Sequence, residues 1–355
     1  MEISNELLFF GGFAIFVIFV MLLDLGAFSK SESHVVKFKE AAFWSAVWVA
    51  LAVVFYFFLK NYAYLIHDIS TPEALNKVAS KYHKGLKLPE AFEDARIVLQ
   101  KNMALEYLTG YLVEYSLSVD NIFVFILIFT SFGVREKFYK KVLVWGILGS
   151  IILRFIFIFL GAALIQRFDW ILYIFGAFLV YTGIKILLTD DEDEEIDTKN
   201  HPAVKFTSRY FNVYEKYVSD HFLIRHRYRG NKMYVTPLFV VIVVIAFTDV
   251  IFAVDSIPAI FSITKDPYIV FFSNVFAIMG LRSMFFFLVN IINMFAYLKY
   301  GLGVLLSFIG LKMLGHHWLS EWGFTNQHSL MVIVGILAIS IILSWLFPPK
   351  EEKAS

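Results

Sequence analysis

Long apolar runs separated by polar segments dominate the chain. A helix needs about 20 mostly apolar residues to cross the hydrocarbon core of a bilayer. Nine runs approach that length and give the predicted spans Leu7–Phe28, Ala41–Leu59, Met103–Phe132, Val142–Ile165, Trp170–Leu188, Val235–Phe261, Ile269–Ala296, Leu302–Leu314 and Ser329–Phe347. The pattern predicts an all-α polytopic membrane protein with about nine transmembrane helices, counted from these runs. The eighth run is the shortest, so whether it spans fully is left open.

Two polar segments divide these helices into groups within a single membrane domain, residues 1–355. One segment is amphipathic and mixed in charge, and the other passes from an acidic run to a basic one. The predicted parts are 1–59 (two N-terminal helices), 60–102 (an external amphipathic loop), 103–188 (three helices), 189–234 (a charged cytoplasmic loop), 235–314 (three helices) and 329–347 (the last helix).

The two groups of three helices carry the same polar landmarks in the same order. In each, an acid is followed after five residues by an aspartate and a small polar residue, then by a mid-span arginine and a lysine. The landmarks are Glu114, Asp120, Asn121, Arg154 and Lys185 in the first group and Asp249, Asp255, Ser256, Arg282 and Lys312 in the second. Because three crossings are an odd number, the second group enters from the opposite side. Two inverted three-helix repeats are typical of secondary transporters, which bind substrate at the repeat interface.

A hard-cation site is predicted around the second acid of each motif. A charge at the membrane centre costs about 2.5–3.5 kcal/mol on insertion scales, so it needs a partner or a watery cavity. The carboxylates of Asp120 and Asp255, with Asn121 and Ser256, offer the oxygen ligands that Mg²⁺, Ca²⁺ and Mn²⁺ accept. Pro258 adds to this set because it leaves the Val254 carbonyl without its helical partner. The structural alternative is that each aspartate pairs with an arginine and only holds the bundle together.

The first acids of the motifs, Glu114 and Asp249, are predicted to act beside this site. Six positions separate each from its partner aspartate, which is about 9 Å along an ideal helix and about 120° around it. On a straight helix the two acids would not share one ion. Glu114 and Asp249 therefore indicate a second ligand shell, an entry or exit station, or a proton-accepting site.

The four basic landmarks are predicted to compensate charge. Arg154 and Arg282 cannot give up their protons, so they are counter-charges for the acids when no cation is bound. Lys185 and Lys312 lie near helix ends, where a long side chain can also extend to the interface.

Composition and charge narrow the function further. Hydrophobic residues make up 59% of the chain and charged residues 17%, against about 25% charged in a soluble domain. The net charge of +1 gives no support for a nucleic-acid partner, and the absence of cysteine excludes thiolate metal sites and thiol redox chemistry. We expect membrane lipid as a partner and no prosthetic group. Lys and Arg are frequent in the odd-numbered loops and rare in the short even-numbered ones, which predicts an outer N-terminus and a cytoplasmic C-terminus. The segment 60–102 has seven basic residues, but it is long and mixed in charge, so this rule gives it little weight.

The segments EYSLSVDN, from Glu114, and FAVDSIPA, from Phe252, resemble the TerC family of membrane proteins. That family is named for tellurium resistance and contains the Alx-type manganese exporters, and the likeness covers roughly Asn102–Gly315. The resemblance implies Mn²⁺ efflux across a bacterial inner membrane. It also implies an ion path through the transmembrane acids, here Glu114, Asp120, Asp249 and Asp255.

Three functions are consistent with these features. The first is a gradient-driven exporter of Mn²⁺ that exchanges it for protons, since no GxxxxGK[ST] phosphate loop is present. The second is an accessory protein that supplies metal to exported enzymes or docks with secretion machinery. The third, an intramembrane aspartyl protease, lacks the Gly-x-Gly-Asp context, and we expect no enzyme. Selectivity among Mn²⁺, Ca²⁺ and Mg²⁺, the coupling ion and a homo-oligomeric state stay open.

Overall fold

The structure is a computed structural model of the chain. It describes residues 5–24, 38–168, 170–188, 202–214, 216–218, 221–226, 232–289, 297–315, 318–319 and 324–346.

The described part is almost entirely helical. Its helices are α1 (Asn5–Asp24), α2 (Phe38–Tyr62), α3 (Pro72–Tyr82), α4 (Phe92–Ser131), α5 (Glu136–Arg167), α6 (Ile171–Leu188), α7 (Pro202–Tyr210), α8 (Pro237–Phe261), α9 (Pro267–Val289), α10 (Leu298–Leu314) and α11 (Asn326–Leu346). A 3₁₀ turn, Ala63–Leu65, follows α2. Strands β1 (Leu223–His226) and β2 (Lys232–Val235) form an antiparallel hairpin in which Leu223 lies opposite Val235.

The protein is a polytopic helical membrane protein, as the apolar runs predict. Six of the described helices are long and apolar enough to cross a bilayer, namely α2, α5, α6, α8, α9 and α11. The apolar parts of α1 and α10 are shorter, at Phe9–Leu23 and Tyr300–Leu314. The number of spans therefore stays a prediction.

The polar segments contain helices and strands of their own. The third long helix, α4, begins at Phe92 instead of Met103, because Ala95 and Leu99 are buried in a core that includes residues of α2 and α3. Thr71 caps α3, its hydroxyl accepting a hydrogen bond from the Ala74 N–H at 3.2 Å. The predicted cytoplasmic loop holds α7 and the β-hairpin.

The bundle is organised around α9. In its most apolar stretch 94% of α9 is buried, against 17% for α2 and α6. The central packing pairs α4 with α9 and α5 with α8, and α6 lies against α10. Large apolar side chains on the outer helices are exposed, including Phe43, Val54, Ile152, Ile339 and Trp345. Such an apolar surface suits a lipid environment.

The bundle has two distinct ends. At the end we call the strand end, the Tyr217 hydroxyl donates to the Phe132 carbonyl at the terminus of α4, and Phe222 packs against Trp145 near the start of α5. At the opposite end, which we call the α3 end, residues 63–91, including α3, lie against the connection between α8 and α9.

Glycines allow α6 and α10 to lie in close contact. A Cβ added at Gly176 would lie 3.1 Å from the carbonyl oxygen of Gly310, and one added at Gly183 would lie 2.6 Å from that of Gly303. The earlier glycine of α6, Gly176, therefore faces the later position in α10, and Gly183 faces the earlier one, so α6 and α10 run antiparallel. An inverted repeat requires this direction for its two third helices, although the repeat itself stays a prediction.

We predict that Gly183→Ala destabilises the protein by about 1–3 kcal/mol, because the new Cβ would overlap backbone atoms and push α6 from α10. The measurement is the midpoint of thermal unfolding of the purified protein in detergent. Gly335→Ala in α11 is the control, since nothing lies within 4 Å of a Cβ there and alanine favours helix. An equal or higher midpoint for Gly183→Ala than for this control would contradict the close contact.

Candidate functional site

Arg154 joins the first acids of the two motifs. This arginine of α5 is 1% exposed. Its Nε donates to Asp249 Oδ2 at 3.2 Å and its Nη2 to Asp249 Oδ1 at 3.0 Å, which is a two-pronged ion pair. Its Nη1 donates to Glu114 Oε1. One acid from each predicted repeat thus binds the same guanidinium, and α4, α5 and α8 meet at this point.

Two neutral side chains complete this Arg154 cluster. Nη1 of Arg154 also donates to Asn274 Oδ1 at 2.8 Å and lies 3.3 Å from Ser256 Oγ. Asn274 is held in place by its own amide, which donates to the Val270 carbonyl at 2.9 Å. The sequence interpretation missed Asn274, although an amide near the start of the apolar run Ile269–Ala296 was a signal for it.

The charges of the Arg154 cluster do not balance. If Glu114 and Asp249 are both ionised, two negative groups share one positive group, which leaves one negative charge among these three side chains. Glu114 Oε2 is buried and accepts no hydrogen bond from the residues described. Because an uncompensated buried carboxylate is costly, that oxygen is a natural position for a proton or a cation.

A small cavity lies beside the Arg154 cluster. It has a volume of about 30 Å³, and its polar lining comes from Asn121 of α4 and Ser256 of α8. The other lining residues are apolar and belong to α4, α6, α8 and α10. A volume of this size holds about one water or ion. The corresponding polar residues of the two motifs are therefore brought to one cavity, and Ser256 connects it to Arg154.

The predicted ligands Asp120 and Asp255 precede Asn121 and Ser256 directly, but their side chains lie outside the described part of the structure. Within that part, no three His, Asp or Glu side chains are arranged to hold a metal ion. Both motifs lie on continuous helices, and α8 runs through Pro258 to Phe261. Because neither helix is interrupted between the two acids of its motif, the separation of about 9 Å along the helix that the spacing predicts is kept.

The other predicted counter-charges occupy different places. Arg282 is buried in α9, with 6% of its surface exposed. Lys312 of α10 donates to the Ser262 carbonyl at 3.4 Å, beyond the end of α8. Lys185 is exposed in the last turn of α6, which fits a side chain that extends to the membrane interface.

We predict that Arg154→Met destabilises the protein by about 3–5 kcal/mol, because two buried carboxylates lose their shared cation. Thermal unfolding of the purified protein in detergent measures the loss. Lys185→Met, at an exposed position, is the control and should change little.

Neutralising the acids should restore stability. We expect the triple variant Arg154→Met, Glu114→Gln, Asp249→Asn to unfold at a higher temperature than Arg154→Met alone. If the triple variant is no more stable than the single variant, the loss comes from packing and the charge argument is wrong.

Comparisons with known proteins place the chain among integral membrane proteins. The sequence model of the Integral membrane protein TerC family matches residues 99–352. A protein of Escherichia coli (strain K12) named "Putative membrane-bound redox modulator Alx" is 40% identical over 346 residues, which cover 98% of this chain and 97% of the relative. A protein of Salmonella typhi with the same name is 38% identical over 347 residues, with the same two shares.

A third relative is an uncharacterised membrane protein of Myxococcus xanthus. It is 39% identical over 333 residues, which cover 94% of this chain and 90% of the relative. No solved structure is a significant match.

Proposed function

This chain belongs to the TerC family of integral membrane proteins, and from that premise we propose that it is a secondary transporter. It exports divalent metal cations, with Mn²⁺ as cargo, from the cytoplasm in exchange for protons. The observation that carries the proposal is the meeting of both motifs at one place. Glu114 and Asp249 share Arg154, and Asn121 and Ser256 line one cavity.

The donor atoms of this place favour a hard cation. Asn121 and Ser256 carry oxygen atoms at the cavity, and the sequence predicts that the carboxylates of Asp120 and Asp255 complete an oxygen ligand set. Oxygen ligands suit Mn²⁺, Mg²⁺ and Ca²⁺, whereas softer metals prefer the thiolates that this chain lacks. The residues thus support a class of cargo, and Mn²⁺ within that class follows from the family resemblance.

The unbalanced charge of the Arg154 cluster supplies the coupling. When a dication enters the cavity, it adds positive charge beside the two carboxylates of the Arg154 cluster. When the dication leaves, a proton on Glu114 Oε2 restores neutrality among the three side chains. Arg154 keeps its own proton throughout, so it acts as a fixed counter-charge. Metal in the cavity and a proton on Glu114 therefore compensate the same negative charge in turn, which is an exchange mechanism.

The position of the cluster suits alternating access. Arg154 lies where α4, α5, α8 and α9 meet, which is the interface of the two predicted repeats. In transporters with inverted repeats, one half moves against the other around a site at this interface. The proposed membrane is the bacterial inner membrane, with an outer N-terminus and a cytoplasmic C-terminus. The α3 end of the bundle is then outside.

The name of the Escherichia coli and Salmonella typhi relatives describes a redox modulator, and this chain contains no cysteine. A redox effect of this chain would therefore not use its own thiols. Export of a redox-active metal ion gives an indirect route to such an effect. Supply of that metal to exported enzymes is the alternative function, and it uses the same transport step.

We predict that Asp120→Asn and Asp255→Asn each reduce pH-gradient-driven Mn²⁺ flux at least about tenfold, since one lost charged ligand costs more than about 1.4 kcal/mol. The measurement uses purified protein in liposomes with a Mn²⁺-sensitive dye inside. Asp94→Asn, at an exposed position in the first turn of α4, is the matched control and should keep full flux.

Two outcomes would contradict the proposal. Flux that survives in both aspartate variants would exclude the assigned site. No Mn²⁺ flux in the wild-type protein, with correctly inserted and folded protein in the liposomes, would favour the accessory function.

A further inference from the structure

A second buried polar cluster lies at the α3 end of the bundle. It contains His67 and His83, which flank α3, with Glu106 of α4 and Asp266 of the α8–α9 connection. We call it the histidine cluster. His83 is 5%, Glu106 4% and Asp266 0% exposed. Four titratable side chains from three separate segments are therefore buried together, and the transport site uses none of them.

Each histidine contacts a carboxylate, and His83 lies near both. His67 Nε2 lies 2.7 Å from Asp266 Oδ2, and His83 Nδ1 lies 3.1 Å from Glu106 Oε1. The other nitrogen of His83, Nε2, faces Asp266 Oδ2 at 3.9 Å. The His83 ring is thus positioned between Glu106 and Asp266.

Each carboxylate also accepts hydrogen bonds from neutral donors. The Asn102 amide donates to Glu106 Oε1 at 2.7 Å and the Thr264 hydroxyl to Glu106 Oε2 at 2.6 Å. The Tyr268 N–H donates to Asp266 Oδ1 at 3.0 Å. The Tyr268 N–H favours the ionised form of Asp266. Both carboxylates act as acceptors for these groups, and a histidine nitrogen lies opposite each of them.

The position of the His83 ring between the two acids favours its protonated form. With Nδ1–H donating to Glu106, an unprotonated Nε2 would place a lone pair toward the Asp266 carboxylate in a buried space. A proton on Nε2 removes that repulsion and forms an imidazolium between two carboxylates. Burial lowers the pKa of His83, but Glu106 and Asp266 together raise it above its ordinary value.

Asp266 complements this arrangement. Burial alone would favour its neutral form, but His67, His83 and the Tyr268 N–H hold the pKa of Asp266 below its ordinary value. The other charged or titratable groups around the cluster are the Lys312 ammonium of α10, which faces Glu106, and the phenols of Tyr82 and Tyr268, which pack on His67.

We propose that the histidine cluster is a proton-binding latch: a proton on His83 fastens residues 63–91 to α4 and to the α8–α9 connection, and its loss releases this segment. Glu106 belongs to the first predicted repeat, and Asp266 lies within the second. The latch therefore ties both repeats together at one end of the bundle. This inference goes beyond the transport proposal and does not depend on the identity of the cargo.

The direction of the pH response follows from the pKa shifts of His83 and Asp266. Because the pKa of His83 is raised by folding, its stabilising contribution is complete below about 6.5, the ordinary histidine value, and is lost as the pH rises through the raised value. The contribution of Asp266 is present above its ordinary value of about 3.9 and is lost only in stronger acid. The latch is closed between these limits and opens on the alkaline side.

Hydrogen–deuterium exchange of the full-length protein in lipid nanodiscs tests the latch. We expect the amides of residues 63–91, corrected for intrinsic exchange, to be at least about tenfold more protected at about pH 6 than at about pH 9, on either side of the ordinary histidine pKa. His83→Gln should give low protection at both values. His221→Gln is the matched control, because His221 is exposed, and it should keep the wild-type pH response.

A second variant separates a proton switch from a purely structural role. Glu106→Gln keeps an acceptor for Asn102 and Thr264 but removes the charge that favours the imidazolium, so it should move the loss of protection to lower pH. Equal protection of residues 63–91 at both pH values in the wild-type protein would overturn the proposal. So would an unchanged pH profile in both His83→Gln and Glu106→Gln. Neither result depends on metal flux, so the latch can fail while the transport proposal stands.

Discussion

The buried ion pair of Arg154 with Glu114 and Asp249 is the interaction on which the centre of this protein depends. A charge inside a membrane bundle is tolerated only when it is paired, hydrogen-bonded or hydrated. Arg154 meets this requirement by binding an acid from each motif and the amide of Asn274. Helices α4, α5, α8 and α9 are held at one point as a result, and the cavity lined by Asn121 and Ser256 lies beside it.

The same cluster is suited to change because its charges are incomplete. Two carboxylates and one guanidinium leave room for one more positive charge, and either a proton or a metal ion can supply it. A fully balanced ion pair would only hold the helices together. The histidine cluster at the α3 end differs in this respect, since each of its carboxylates faces a histidine and further donors. The central site therefore suits ion exchange, whereas the α3 end suits a contact that holds residues 63–91 in place.

The sequence was sufficient to predict the helical membrane fold, since apolar runs reveal helices. The matching spacing of the two motifs also marked Glu114 and Asp249, although the sequence predicts them beside a site centred on Asp120 and Asp255. The contact between these two acids through Arg154 was not predictable, because spacing along one helix says nothing about a third helix. The early start of α4 at Phe92 was missed for a similar reason: Ala95 and Leu99 are buried by distant segments.

The histidine cluster shows the same limit more clearly. His67 and Asp266 are 199 residues apart and lie in polar connecting segments. Glu106 lies near the start of the apolar run that also contains Glu114 and Asp120. Only the folded chain brings them together.

The most direct test of the central site is to titrate Mn²⁺ into the purified protein in weakly buffered solution and count the protons released. We predict proton release that accompanies binding and is diminished in Glu114→Gln. Mn²⁺ binding with no proton release, or with release unchanged in that variant, would contradict an exchange of metal and proton at these acids.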